Sequence, residues 1–162
     1  MAHSKIIQIT KEKTDDRICE EDFYQGKYSF FVGQIADYTD DIDADSWPDV
    51  YDGCLNGNGL EIFQNEEGDW KLRVVDRDAW FKKDYRTFVE NAKLCTEMLF
   101  DDFTRHKNAM PVYMVHAAYD DEFGVYVCDM GEWAGLDTLQ SFMRRANNGD
   151  EYYLGAVVDY HF

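Results

Sequence analysis

The sequence predicts an α+β fold: a mostly antiparallel sheet of about six to seven strands carrying one long and one short helix. Three observations lead there. Short runs rich in β-branched and aromatic residues recur between turn residues. One long stretch, 78–107, repeats its apolar residues at three- and four-residue intervals with no proline or glycine. Apolar residues make up 45% of the 162, and aromatics 16%, which is too much bulky core material for a disordered acidic chain. The length suits a single domain, 1–162.

Taken in order, Lys5–Thr10 alternates weakly and reads as a strand, and Asp15–Tyr24 as a helical turn. Residues 27–38 hold Phe, Tyr, Val and Ile and read as a second strand. Residues 40–58 combine an acidic run, Trp47-Pro48 and three glycines, which is loop chemistry. Leu60–Gln64 and Trp70–Asp76 flank Asn65-Glu66-Glu67-Gly68-Asp69 and predict a hairpin. The long helix follows, with Asp78 as the expected N-cap and Arg105, His106 and Lys107 suited to its negative end. Residues 110–117 and 123–129 read as a second hairpin around 119–122, 136–147 as a shorter helix, and 151–162 as a closing strand.

Residues 69–76 align with 122–129, and in each a tryptophan, Trp80 or Trp133, stands four residues after the final aspartate. This predicts two hairpin–helix units, 59–108 and 112–148, each presenting an acidic tip. Trp70, Trp80 and Trp133 are expected in the core.

The charge is uneven. The net formal charge is -17, yet no Lys or Arg occurs between Lys27 and Lys71, a stretch with eleven Asp and Glu. A second such stretch, between Lys107 and Arg144, holds six more. A concentrated negative field attracts basic partners and repels nucleic acid and anionic membrane surfaces. The expected contact residues are Asp40, Asp41, Asp43, Asp45, Asp49 and Asp52 of the acidic run, with Trp47 as an exposed anchor among them. To these are added Glu66, Glu67 and Asp69 of the first tip, and Asp120, Asp121 and Glu122 of the second.

Other chemistries find little support. Asp41, Asp43, Asp45, Asp49 and Asp52 fall at ligand positions of a calcium loop, but Ser46 stands where the glycine belongs and Asp52 replaces the bidentate glutamate. No metal site and no cofactor are expected. Gly57-Asn58-Gly59 precedes a strand rather than opening a helix, so it reads as a turn and not as a phosphate cradle. No serine sits in a nucleophile elbow. His116 and Cys128 could face each other across the second hairpin, which would be the centre of an enzymatic reading. The four cysteines, Cys19, Cys54, Cys95 and Cys128, are widely spaced and expected to be reduced. Neither a leader at residues 1–5 nor a run near the roughly 18 residues that span a bilayer is seen, so a cytoplasmic location is expected, in a host cell if the chain is phage-encoded.

The expectation is an acidic interaction protein, not an enzyme, that occupies the basic site of a nucleic-acid-binding protein or nuclease as a decoy. In size and charge the chain is similar in character to the antirestriction and anti-CRISPR proteins of phages and mobile elements, a likeness carried by no motif. The alternative is an immunity or antitoxin protein that neutralises a basic nuclease toxin. Oligomeric state is open, a homodimer included.

Overall fold

A computed structural model describes residues 2–129 and 135–162. Its elements are β1 (His3–Thr10), β2 (Tyr38–Asp41), α1 (Trp47–Leu55), β3 (Leu60–Gln64), β4 (Trp70–Val74), α2 (Arg77–Thr96), α3 (Phe100–Thr104), α4 (Met110–Tyr119), β5 (Tyr126–Cys128), β6 (Leu136–Thr138), α5 (Leu139–Arg145) and β7 (Glu151–His161). The strands form one seven-stranded sheet in the order β3-β4-β7-β1-β5-β6, with β2 also pairing with β7. All pairings are antiparallel except β1 with β5. This is the α+β, mostly antiparallel architecture that the sequence predicts.

The longest strand, β7, is the axis. β1 runs along one edge of it. The other edge is shared end to end: β4 takes the first half, with Lys71 opposite Tyr153, and β2 the second, with Asp41 opposite Val158. Apolar residues of β7 alternate between two cores. Leu154 and Val157 join Ile7, Ile9, Leu72 and Val74 beneath α1 and α5. Ala156, Val158 and Tyr160 face the other way, under an irregular segment that contributes Ile18, Phe23, Tyr28, Phe31 and Ala36.

Leu154 and Val157 share a face although three residues apart, because β7 is bulged. The β1–β7 register slips between Ile7 and Ile9. Gln8, 1% exposed, fills the gap. Its Oε1 accepts from the N–H groups of Ala156 (3.1 Å) and Ile18 (3.3 Å), and its Nε2 donates to the Asp16 carbonyl (2.9 Å). One buried amide therefore satisfies backbone groups of the bulge and of the segment covering the second core.

Three expectations are corrected. Residues 27–37 form no strand. Gly26 and Gly33 take positive φ (78° and 94°), and local bonds such as Ala36 N–H to Phe31 O (3.0 Å) curl the chain so that Tyr28, Phe31 and Ala36 point into one core. Tertiary packing overrides β-propensity there. Residues 40–58 are not a loop but hold the end of β2 and all of α1. Residues 110–119 are helix α4, not a strand, so the second predicted unit is no hairpin. A short apolar run such as Val112–Ala117 does not separate the two states, whereas Pro111 suits a first helical turn.

The long helix is also shorter than its pattern. Asp76, not Asp78, caps α2, its Oδ1 accepting from the Ala79 N–H at 2.9 Å. The helix ends at Thr96, and α3 follows. His106 and Asn108, both at positive φ (53° and 51°), reverse the chain, and α4 returns against α2. The foot of this arm is fixed by Arg77, whose guanidinium donates to the carbonyls of Met143 (2.9 Å) and Arg144 (3.2 Å) near the end of α5. Trp70 and Trp80 are half-buried against the first core, while Trp133 lies outside the described residues.

Two substitutions test this frame. Gln8→Ala strands two buried N–H donors, each worth about 1–3 kcal/mol, so urea unfolding is expected to show a loss of about 2–6 kcal/mol. Gly59 has φ 98° and its carbonyl accepts from the N–H groups of Val75 and Asp76, while an added Cβ would overlap the Asp76 carbonyl. Gly59→Ala is therefore expected to cost at least about 2 kcal/mol, whereas Gly68→Ala, with open space around its position, is expected to cost about 1 kcal/mol.

Candidate functional site

α1 is the element that organises the first acidic stretch. Trp47, Val50, Tyr51, Cys54 and Leu55 recur at three- and four-residue spacing and pack against the core, Tyr51 and Leu55 being 1% and 2% exposed. Tyr51 donates its hydroxyl to the Gly155 carbonyl at the β7 bulge. Pro48 sits in the first turn, where a missing N–H costs nothing. The opposite side carries Asp49 and Asp52, and Asp45 precedes them in the 3-10 turn that leads into α1, all three exposed and at intervals of four and three residues. Asp43 stands just before them, also exposed. Asp43, Asp45, Asp49 and Asp52 form no ion pair with any described residue; Asp52 accepts from Asn56 Nδ2 at 2.7 Å.

Trp47 is not the exposed anchor that its loop-like context suggests. It is half-buried between the two cores, and its Nε1–H donates to the Ile42 carbonyl at 2.8 Å. Asp40 lies 3.5 Å from His161 Nε2, and Asp41 accepts from the Glu20 N–H at 2.7 Å, so both help hold β2 and its neighbours in place. The calcium-loop spacing dissolves in three dimensions, because its five aspartates are divided among β2, a 3-10 turn and α1.

The β3–β4 tip lies beside α1. Trp47, Tyr51, Asp69 and Trp70 line one groove of about 190 Å³, together with Lys13 and Arg17 from the segment after β1. Lys13 Nζ reaches both Asp69 (2.7 Å) and Glu67 (3.2 Å). That contact, led by the Asp69 hydrogen bond, raises the Lys13 pKa, and the same bond lowers that of Asp69. Two of the three tip acids are thus partly compensated by a cation distant in sequence. Glu66 is exposed and pairs with no described cation.

The second stretch differs more. Asp120, Asp121 and Glu122 lie in the α4–β5 connection, not at a hairpin tip, and β7, β1 and β5 separate them from the β3–β4 edge. Asp120 accepts from the Thr138 hydroxyl. Asp121 is half-buried and accepts from the Phe123 N–H at 3.2 Å. Burial is the main cause of its raised pKa, opposed by that N–H and reinforced by Asp120. Burial likewise raises Asp84 on α2, with Lys83 opposing and Asp121 adding to it. Glu122 is exposed, and its carbonyl accepts from the Tyr126 hydroxyl at 2.9 Å. The acids thus form two arrays on different parts of the molecule rather than one repeated surface.

The His116–Cys128 pairing is corrected as well. His116 is exposed on α4, and Cys128 is fully buried on β5. Burial pushes the Cys128 thiol up to about 11, the reverse of what an activated nucleophile needs. Sequence reasoning missed a different histidine cluster. His3 (3.1 Å), His161 (3.0 Å) and Lys5 all pair with Asp159, and Tyr38 stacks on His161 with 4.2 Å between ring centroids. Only the pairing of β1, β2 and β7 brings these together, and the one sequence signal is polar residues alternating along two distant strands. Among the described residues no group of three or more His, Cys, Asp or Glu is arranged to hold a metal ion, and no helix is long and apolar enough to cross a membrane.

No protein-family model matches this chain, and no curated protein or solved structure matches it either.

The buried acids carry a pH signature. A carboxyl whose folded-state pKa is raised destabilises the fold when ionised, and that cost disappears as pH falls through the raised value. Asp121→Asn and Asp84→Asn are therefore expected to raise the melting temperature at neutral pH. The gain should vanish once the pH is below the ordinary aspartate value of about 3.9. A loss of stability at neutral pH in both variants would contradict it.

Proposed function

We propose that the protein is an acidic interaction protein that binds the basic site of a nucleic-acid-binding protein or nuclease in place of nucleic acid. The observation that supports this most is the outer face of α1. A helix anchored by five core side chains presents Asp49 and Asp52, with Asp45 in the 3-10 turn that leads into it, Asp43 just before, and no described cation paired to any of them. Rigid carboxylates at this density repel each other, and a complementary basic groove relieves that repulsion. Glu66 extends the array, and the Lys13-bound Glu67 and Asp69 form its edge. The second array, around Glu122, contributes field rather than a matching repeat.

Such a surface fits anti-defence proteins that occupy DNA- or RNA-binding nucleases. It equally fits an immunity protein that blocks a basic nuclease toxin; the identity of the retained partner decides between them. In both cases attraction steers association and falls with salt, and the α1 array rather than the arm of α2 and α4 is the docking element.

The test neutralises α1 and the turn that leads into it. With Asp43, Asp45, Asp49 and Asp52 all changed to Asn, retention of basic proteins from a lysate at low salt is expected to fall, and the dependence on salt to flatten. Each single change should cost below about 1 kcal/mol, because exposed charges contribute individually little. Unchanged retention at low and high salt by the folded quadruple variant overturns the proposal.

A further inference from the structure

We infer that the helical arm, residues 77–119, is a self-association surface through which two copies of this chain pair antiparallel. No residue of α2, α3 or α4 is fully buried. The arm instead exposes Tyr85 (70%), Leu99 (68%), Phe100 (82%), Phe103 (74%) and Met110 (66%). A concentration of large apolar side chains on one projection is what soluble monomers avoid and interfaces use. At its foot, Phe81, Tyr85, Phe88 and Tyr119 line an open groove of about 570 Å³.

Charge identifies the occupant. The arm holds seven Lys and Arg against six Asp and Glu, a net +1, while the rest of the chain holds nine against twenty-seven, a net -18. Two copies repel each other everywhere except through this segment. Within it the charge is graded. The foot, 77–86, is net +2 through Arg77, Lys82, Lys83 and Arg86 against Asp78 and Asp84. The distal part, 90–107, is net -1. In a two-fold antiparallel pairing the foot of each arm lies on the distal part of the other, so opposite signs meet twice while the apolar residues are covered. A strongly basic partner has no complement on this near-neutral arm and is drawn to the carboxylates of α1 instead. The pairing is thus independent of the proposed decoy role, and it responds to salt in the opposite sense. Screening reduces repulsion between the two -18 bodies, so raising salt strengthens the pair while it weakens a charge-steered partner.

The experiment is sedimentation velocity of the full chain over a wide concentration range, at low and high salt. The wild type is expected to be a dimer that tightens with salt. Phe100→Asp with Phe103→Asp, both exposed, is expected to give a folded monomer, with circular dichroism confirming the fold. Lys82→Glu with Lys83→Glu, and separately Glu90→Lys with Glu97→Lys, are each expected to weaken the dimer by about tenfold or more. Mixing those two variants is expected to restore it, because the mixed pair matches opposite signs at both contacts. A wild type that stays monomeric at every concentration, a dimer that survives the two Phe changes, or a mixture no tighter than its components overturns the inference.

Discussion

Gln8 is the point at which three remote parts of the chain are tied together. Its buried amide accepts from the bulged residue Ala156 on β7 and from Ile18, and it donates to Asp16. The bulge decides which face each later residue of β7 takes. It lets Leu154 and Val157 enter one core while Ala156, Val158 and Tyr160 build the other. A register slip of one residue here would turn Tyr160 out of its aromatic cluster with Phe31 and Tyr126, whose centroids lie 5.1 and 5.9 Å away. Gly155 has no room for a side chain beside the amide, since a Cβ would approach Gln8 Oε1 to 2.5 Å. Because α1 hangs on the same spot through Tyr51 and the Gly155 carbonyl, the acidic helix is held by the irregularity at the centre of the sheet.

What the sequence makes legible follows from the range of the forces involved. The β3–β4 hairpin, the first strand and the closing strand are read correctly, and the long helix is found in its first part with its cap two residues earlier, at Asp76. The failures lie where distant contacts decide. Residues 27–37 have strand composition, yet two positive-φ glycines and a waiting core curl them. Residues 47–55 look like a loop because acids and glycines crowd them. The 47, 50, 51, 54, 55 spacing of the apolar residues was nonetheless present, hidden under the charge. For the candidate site, the acidic residues could be named but not their states. Lys13 compensates Glu67 and Asp69 across more than fifty residues, and burial makes Asp121 a strained acid rather than a surface charge.

The molecule separates two kinds of surface that usually mix. Its sheet-bound half carries nearly all the excess negative charge on a rigid base, including a helix whose apolar side is fully engaged. Its arm carries balanced charge and large apolar side chains that stand exposed among the described residues. In the proposed roles, interaction through the first is long-ranged and weakened by salt, and through the second short-ranged and favoured by it. One chain can therefore use both without either interfering with the other, since the positions that serve one do not serve the other.

The shared edge of β7 has a further consequence. β2 and β4 run in the same direction and occupy successive halves of one edge, so the chain leaves β7 after Asp41, opposite Val158, and meets it again at Lys71, opposite Tyr153. Everything between, α1 and β3 included, is an excursion from β7. β3 extends the sheet by pairing with β4, and the inward residues of α1 answer to the core. In the proposed role, such a layout puts the contact carboxylates on a detour from β7 whose inward side alone is committed to the core, so their charge can be changed without touching the strands that the detour leaves and rejoins.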